Sequence, residues 1–196
     1  MIVTLTEPRI DSPRRLRLTR ADRSILQING LLDLEKFELI EGDLIEKMPK
    51  KPLHVHVLLM LQNWLAQTFG FRYVLQESPM NVSLEDSPTN EPEPDLLVMN
   101  RPSEIDNLNA PLPHEVRLVV EVSDSTLRFD MTVKAALYAR ASIPEYWVLD
   151  VKERRMAVHR DPQAGNYQSV LWLAQNESVS PLAAPGASFS VAEAFN

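Results

Sequence analysis

The stretch Val116–Ser123, VRLVVEVS, constrains this chain more than any other. A nearly continuous aliphatic run of this length is what a strand buried on both faces requires, so layers must pack on either side of it. Glu121 interrupts that run. A carboxylate in such a strand is costly unless a hydrogen bond, an ion pair or a metal ion compensates it. Alternation places Glu121 on one face with Arg117, Val119 and Ser123, and Leu118, Val120 and Val122 on the other. Two readings fit: an internal pair with Arg117, or a cation site.

The remaining elements are read around that strand. Residues 1–18 are aperiodic and rich in Arg and Pro, and predict an extended arm; residues 19–196 predict one domain. Thr19 caps a short helix over 20–29, with Ile25 and Ile28 expected to face inward. Residues 37–41 and 44–48 flank Glu41-Gly42-Asp43 and predict a β-hairpin. Residues 54–69 carry Val57, Leu58, Leu61, Trp64, Leu65 and Phe69 at helical spacing. Residues 71–76, 80–84 and 95–99 predict strands, the last delivered by an acidic, Pro-rich loop at 85–94. A helix over 129–141, closed by Ile143-Pro144, precedes strands at 145–150, 154–160 and 167–173. The sum is an α/β (α+β) domain with helices on a mixed sheet and an N-terminal β-hairpin extension.

Composition narrows the chemistry. With no cysteine, disulfides, thiolate zinc sites, iron–sulfur clusters and a cysteine nucleophile are all excluded. Any metal must bind through oxygen or imidazole, which favours magnesium or manganese. No apolar run is long enough to cross a bilayer, and residues 1–15 lack the apolar core of a signal peptide, so cytoplasmic residence is expected. The net charge of −7 opposes non-specific nucleic-acid binding. Residues 1–51 are nevertheless near neutrality, and positive charge is locally dense there at Arg14, Arg15, Arg17, Arg20 and Arg23 and again at Lys47, Lys50 and Lys51, as either a solvated face or a binding patch.

Asp95 follows Pro94 at the entry to the apolar strand DLLVM, where a strand end can meet a cleft. Asp95 and Glu121 on neighbouring strands, with the main-chain carbonyl of Val122, can converge on one hard cation, the type of site that phosphodiester hydrolysis uses. Asp130, Lys134 and Tyr138 share a helical face. Asp130 and Lys134 read either as a surface pair contributing about 0.3–0.5 kcal/mol, or with Lys134 turned to the metal site to stabilise charge on a phosphate. His54 and His56 are spaced i, i+2, which argues against a shared zinc site; His54 can reach a cleft at the helix start. No GxSxG, HExxH or Gly-rich phosphate loop is present.

The runs FELIEGDLIEKMPKKPLHVHVLLMLQNWL, PDLLVM and VVEVSDSTLRFDMTVKAALYARASIPEYWVLD resemble the Uma family (domain of unknown function 820), which is named for restriction endonucleases and expanded in cyanobacteria. The resemblance extends from about Thr19 to Asp161, and its most specific part is Val119 to Asp150. It implies a restriction-endonuclease-like fold of the PD-(D/E)XK superfamily. By that resemblance Asp95 is the aspartate of the PD element and Glu121 the acid of the second element. Ser123 stands where the superfamily has its lysine, whose role passes to Lys134. A further acid is Glu38 or Glu46, and His54 matches a family histidine of unknown role.

The function so implied is a magnesium- or manganese-dependent endonuclease acting on DNA, in which cutting both strands of a duplex calls for a homodimer or two nicks. Two alternatives stand beside it: an inactive binding protein that keeps the nuclease fold, which the acidic charge and Ser123 favour, and an RNA-directed nuclease.

Overall fold

The computed structural model describes residues 16–31, 33, 36–104, 106, 107 and 109–196. Most of the expected N-terminal arm, with Arg14 and Arg15, lies outside them. The centre of the molecule is a sheet of six strands in the order β3-β4-β5-β6-β7-β8. These are β3 (Val74–Gln76), β4 (Leu96–Met99), β5 (Val116–Ser123), β6 (Glu145–Asp150), β7 (Arg155–Gln163) and β8 (Asn166–Leu173). Neighbours run antiparallel except β5 and β6, which are parallel. A parallel pair needs a crossover. Here it is supplied by helix α3 (residues 127–140), which starts as an α-turn, passes through a π-helical stretch Asp130–Lys134 and ends as the α-helix Ala135–Arg140.

Strand β5 meets the expectation set by its sequence: every residue but Arg117 is buried. Leu118, Val120 and Val122 pack on one side against Val57, Leu58, Leu61 and Leu65 of helix α2 (Pro52–Phe69). Fully burying each such aliphatic side chain contributes about 1.5–3 kcal/mol. On the other side Val119 joins Val148, Tyr146 and the Ala135, Leu137 and Tyr138 face of α3. The fold is therefore a mixed sheet between helical layers. No helix among the described residues is long and apolar enough to cross a membrane.

The hairpin of β1 (Phe37–Ile40) and β2 (Asp43–Glu46) turns through Glu41 and Gly42, both at positive φ (52° and 78°). That is the backbone of a two-residue hairpin turn, which glycine adopts freely. A Cβ on Gly42 would stand 2.6 Å from that of Arg17. The hairpin is stitched to the loop before β4 by Glu91 N–H donating to Leu39 O (2.7 Å) and Glu41 N–H donating to Asn90 Oδ1 (2.7 Å). Leu39 and Ile40 are buried, so the hairpin is part of the core as well as an extension of it.

Two expectations fail. Helix α1 (Arg20–Ile28) carries the predicted Thr19 cap, completed by Asp22 as a capping box, yet Ile25 and Ile28 are 57% and 83% exposed. The helix is held by its polar side: Arg20 reaches Asn81 (2.9 Å) and Glu91 (2.7 Å), and Arg23 pairs with Glu91. Residues 80–84 form no strand. Met80 and Asn81 spend their N–H groups on Pro92 O and Pro111 O of two separate loops, leaving no ladder to form.

Candidate active site

The carboxyl ends of β4 and β5 do not coincide, because the strands run antiparallel; the start of β4 lies beside the end of β5. Leu96 pairs with Val120, and Asp95, one residue earlier, accepts the Val122 N–H at Oδ2 (2.8 Å). This bond fixes the Asp95 carboxylate against the strand that carries Glu121. Asp95 Oδ1 faces the pocket, 3.2 Å from Lys50 Nζ and 3.4 Å from His54 Nε2. Lys50 also reaches Glu77 Oε1 (2.6 Å).

Glu121 is buried and its partner is not Arg117. Lys134 Nζ lies 2.9 Å from Glu121 Oε1 and 2.9 Å from Glu38 Oε1, so one ammonium joins β5 to the hairpin. Tyr138 O–H donates to the same Glu121 oxygen (3.0 Å). The reading of Asp130 and Lys134 as a surface pair is corrected: both are buried, because the crossover packs this face of α3 onto the sheet. Asp130 Oδ2 accepts the Ser123 hydroxyl and that of Thr126 (2.6 Å). A π-helical turn at residues 130–134, a geometry often found at functional sites, thus carries both charged side chains.

The hairpin acids are separated. Glu38 is buried on the lysine and also accepts the Glu93 N–H (3.3 Å), whereas Glu46 ends β2 exposed at the rim of the same pocket. His54 lines the pocket, while His56 Nε2 lies 3.0 Å from Asn196 O, well separated along the helix surface. Those of the expected basic residues that are described are engaged with acids: besides Arg20, Arg23 and Lys50, Arg17 pairs with Glu41, Lys47 with Glu93 and Lys51 with Asp124. Lys50, Glu77 and the hydroxyls of Ser123 and Tyr138 were not singled out in the sequence as members of the site. Tyr138 and Asp130 are visible as face-mates of Lys134; Glu77, itself at φ 45° just after β3, carries no sequence signal.

Electrostatics follow from crowding acids around few bases. Burial pushes the Glu121 carboxyl well above its usual range; Lys134 opposes this, while Asp130, Asp95 and Glu38 add to it. Burial disfavours the Lys134 charge, but Glu121, Glu38 and Asp130 outweigh it and raise the ammonium, which keeps its proton. Asp95 is also penalised by burial, yet His54, Lys50 and the Val122 N–H hold it below its ordinary value. Burial raises Asp130 despite its hydroxyl donors.

Among the described residues no three His, Asp or Glu side chains stand close enough together to form a ready metal shell. Asp95 and Glu121 each hold a lysine ammonium instead. In kind the donors still suit a hard divalent ion, being carboxylates in a pocket where buried acid exceeds buried base. A cation there would offset the burial that chiefly pushes Glu121 up and the neighbouring acids that add to it.

A mixed sheet flanked by helices, with acids at a strand junction, is the restriction-endonuclease-like fold. The chain belongs to the family described as "Uma2: Putative restriction endonuclease", matched over residues 25–192. The structure is similar to the crystal structure of a "putative nuclease belonging to DUF820" from Anabaena variabilis, with a TM-score of 0.64 and 17% identity, over 86% of this chain and 94% of that one. No curated protein matches the chain.

Proposed function

We propose that this protein is a divalent-metal-dependent nuclease of the PD-(D/E)XK type, cleaving phosphodiester bonds of DNA. The observation that carries this reading is the Asp95–Val122 hydrogen bond, which brings Asp95 beside the strand of Glu121 at one pocket into which Lys134 also projects. Asp95, Glu121 and the main-chain carbonyl of Val122 are the assigned ligands of magnesium or manganese. Such an ion, when bound, supplies Lewis acidity toward phosphate oxygens.

The chain's own residues do the rest. The Val122 N–H orients Asp95, and Tyr138 and Lys134 orient Glu121. Because its acidic neighbours raise Lys134, it acts as a fixed positive charge beside the scissile phosphate and not as a base at neutral pH. Ser123, in the usual lysine position, holds Asp130 and so the helical turn from which Lys134 extends. Glu38 is the third acid, tethering the same ammonium from the hairpin. Cutting both strands of a duplex would bring two copies of the chain together.

One feature favours the rival reading, a non-catalytic nuclease-fold binding protein: both candidate ligands already carry a lysine. Incubating supercoiled plasmid with the full chain and magnesium or manganese, beside Asp95→Ala and Glu121→Ala, separates the two. The nuclease reading expects nicked or linear product from wild type alone. Equal inertness of all three, with no divalent binding by wild type, would leave the binding protein.

A further inference from the structure

His54 sits in the first turn of α2 with its side chain only 11% exposed. Its Nε2 is buried and makes no hydrogen bond among the described residues, although Asp95 Oδ1 is 3.4 Å away. A buried ring nitrogen whose one polar neighbour is a carboxylate at the edge of hydrogen-bond reach is poorly satisfied, a state that a bound ion would relieve. Asp95 has its two oxygens divided. Oδ2 already accepts the Val122 N–H, so Oδ1 is the freer oxygen for a ligand, and it is the atom that His54 faces.

A cation is already tolerated at that oxygen, since Lys50 Nζ lies 3.2 Å from it. The two neighbours differ in how they are held. Lys50 lies on the segment before α2, is 28% exposed, and can swing out on a flexible stem. The imidazole is more deeply buried on the first turn of the helix and has only two side-chain torsions, so it has less freedom to move away. An ion arriving at Oδ1 would therefore displace Lys50 and retain His54.

We propose that His54 Nε2 is a ligand of the same divalent ion as Asp95 Oδ1, and that this imidazole biases the site toward manganese and the later first-row ions over magnesium. The inference rests on the metal-dependent reading above and adds a ligand and a selectivity to it. Imidazole is a softer donor than carboxylate and suits manganese better than magnesium, which prefers oxygen. Simple orientation of Asp95 by a His54 N–H is the competing role, and it predicts no bond from nitrogen to the ion.

Electron spin-echo envelope modulation of the manganese-loaded full chain reads that bond directly. Wild type and His56→Gln should both show nitrogen modulation from a coordinated imidazole, and His54→Gln should lose it. Calorimetry should find manganese affinity weakened about tenfold or more in His54→Gln, with magnesium affinity changed less than about threefold. If His54→Gln fails to fold, wild type grown on isotopically labelled histidine decides, because the modulation must shift with the label. Manganese bound by wild type without nitrogen modulation, or with modulation kept in His54→Gln, overturns the role of His54 alone. No manganese binding by wild type overturns the metal-dependent reading with it.

Discussion

Lys134 Nζ stands midway between Glu121 and Glu38, 2.9 Å from an oxygen of each, and so clamps the central strand to the hairpin through a single buried ammonium. Removing one partner of a buried ion pair leaves uncompensated charge and typically costs 3–5 kcal/mol. Lys134→Met should therefore lower stability in urea denaturation by about that amount. It should abolish plasmid cleavage while divalent binding persists in calorimetry. Retained cleavage would remove Lys134 from the chemistry.

Lys50 holds the pocket-facing oxygen of Asp95 and bridges it to Glu77. An internal cation at a metal ligand competes with the metal. Lys50→Ala should raise divalent affinity by a few-fold in calorimetry, on the scale of an exposed to half-buried ion pair of about 1 kcal/mol. Unchanged or weaker affinity would mean that the ion does not take the Lys50 position.

Glu145 opens β6 fully buried, outside the lining of the pocket, and is bonded by the Arg160 guanidinium (2.6 Å), the Trp147 indole (3.0 Å) and the Leu182 N–H (2.7 Å). Glu145→Ala leaves the Trp147 and Leu182 N–H groups without this acceptor and the Arg160 guanidinium with the Ser180 carbonyl, and should cost about 3–5 kcal/mol. Thermal melts should fall steeply while divalent affinity, measured below the melting transition, stays at the wild-type value.

Asp86 ties the loop before β4 to α3 through Arg140 (2.9 Å). Burial opposes its ionisation, but the Arg140 and Ser83 hydrogen bonds outweigh this and hold it below its ordinary value of 3.8. A depressed carboxyl contributes stability that is complete above its unfolded value and is lost as pH falls through the folded one. Wild type should exceed Asp86→Asn in urea stability at pH 6, and the gap should close as pH drops below 3.8. A gap that persists at pH 2 would show that the contact does not depend on the carboxylate.

Legibility varied with the range of the interaction. Strand β5 is readable because a strand buried at every position but Arg117 leaves a local imprint, and Glu121 is conspicuous within it. The hairpin turn and the α1 cap are equally local, set by Gly42 and by the Thr19–Asp22 box. Ile25 and Ile28 misled because α1 is attached through Arg20 and Arg23 to residues some seventy positions away, and periodicity is blind to polar anchors. The choice between Glu38 and Glu46 was open for a similar reason. Both lie on one hairpin, and only the packing of β1 against Glu91 turns Glu38 inward. Asp130 and Lys134 fit a surface pair until the crossover buries their face, which no local pattern reveals.

The central claim is that Asp95 and Glu121 share one divalent ion. Anomalous diffraction from a crystal of the full chain soaked in manganese measures this most directly. The predicted result is a single strong peak within about 2–2.6 Å of an oxygen of both carboxylates, with Lys50 turned away from Asp95. A peak bound elsewhere, or Lys50 and Lys134 still seated on the two acids with no manganese between them, would contradict it.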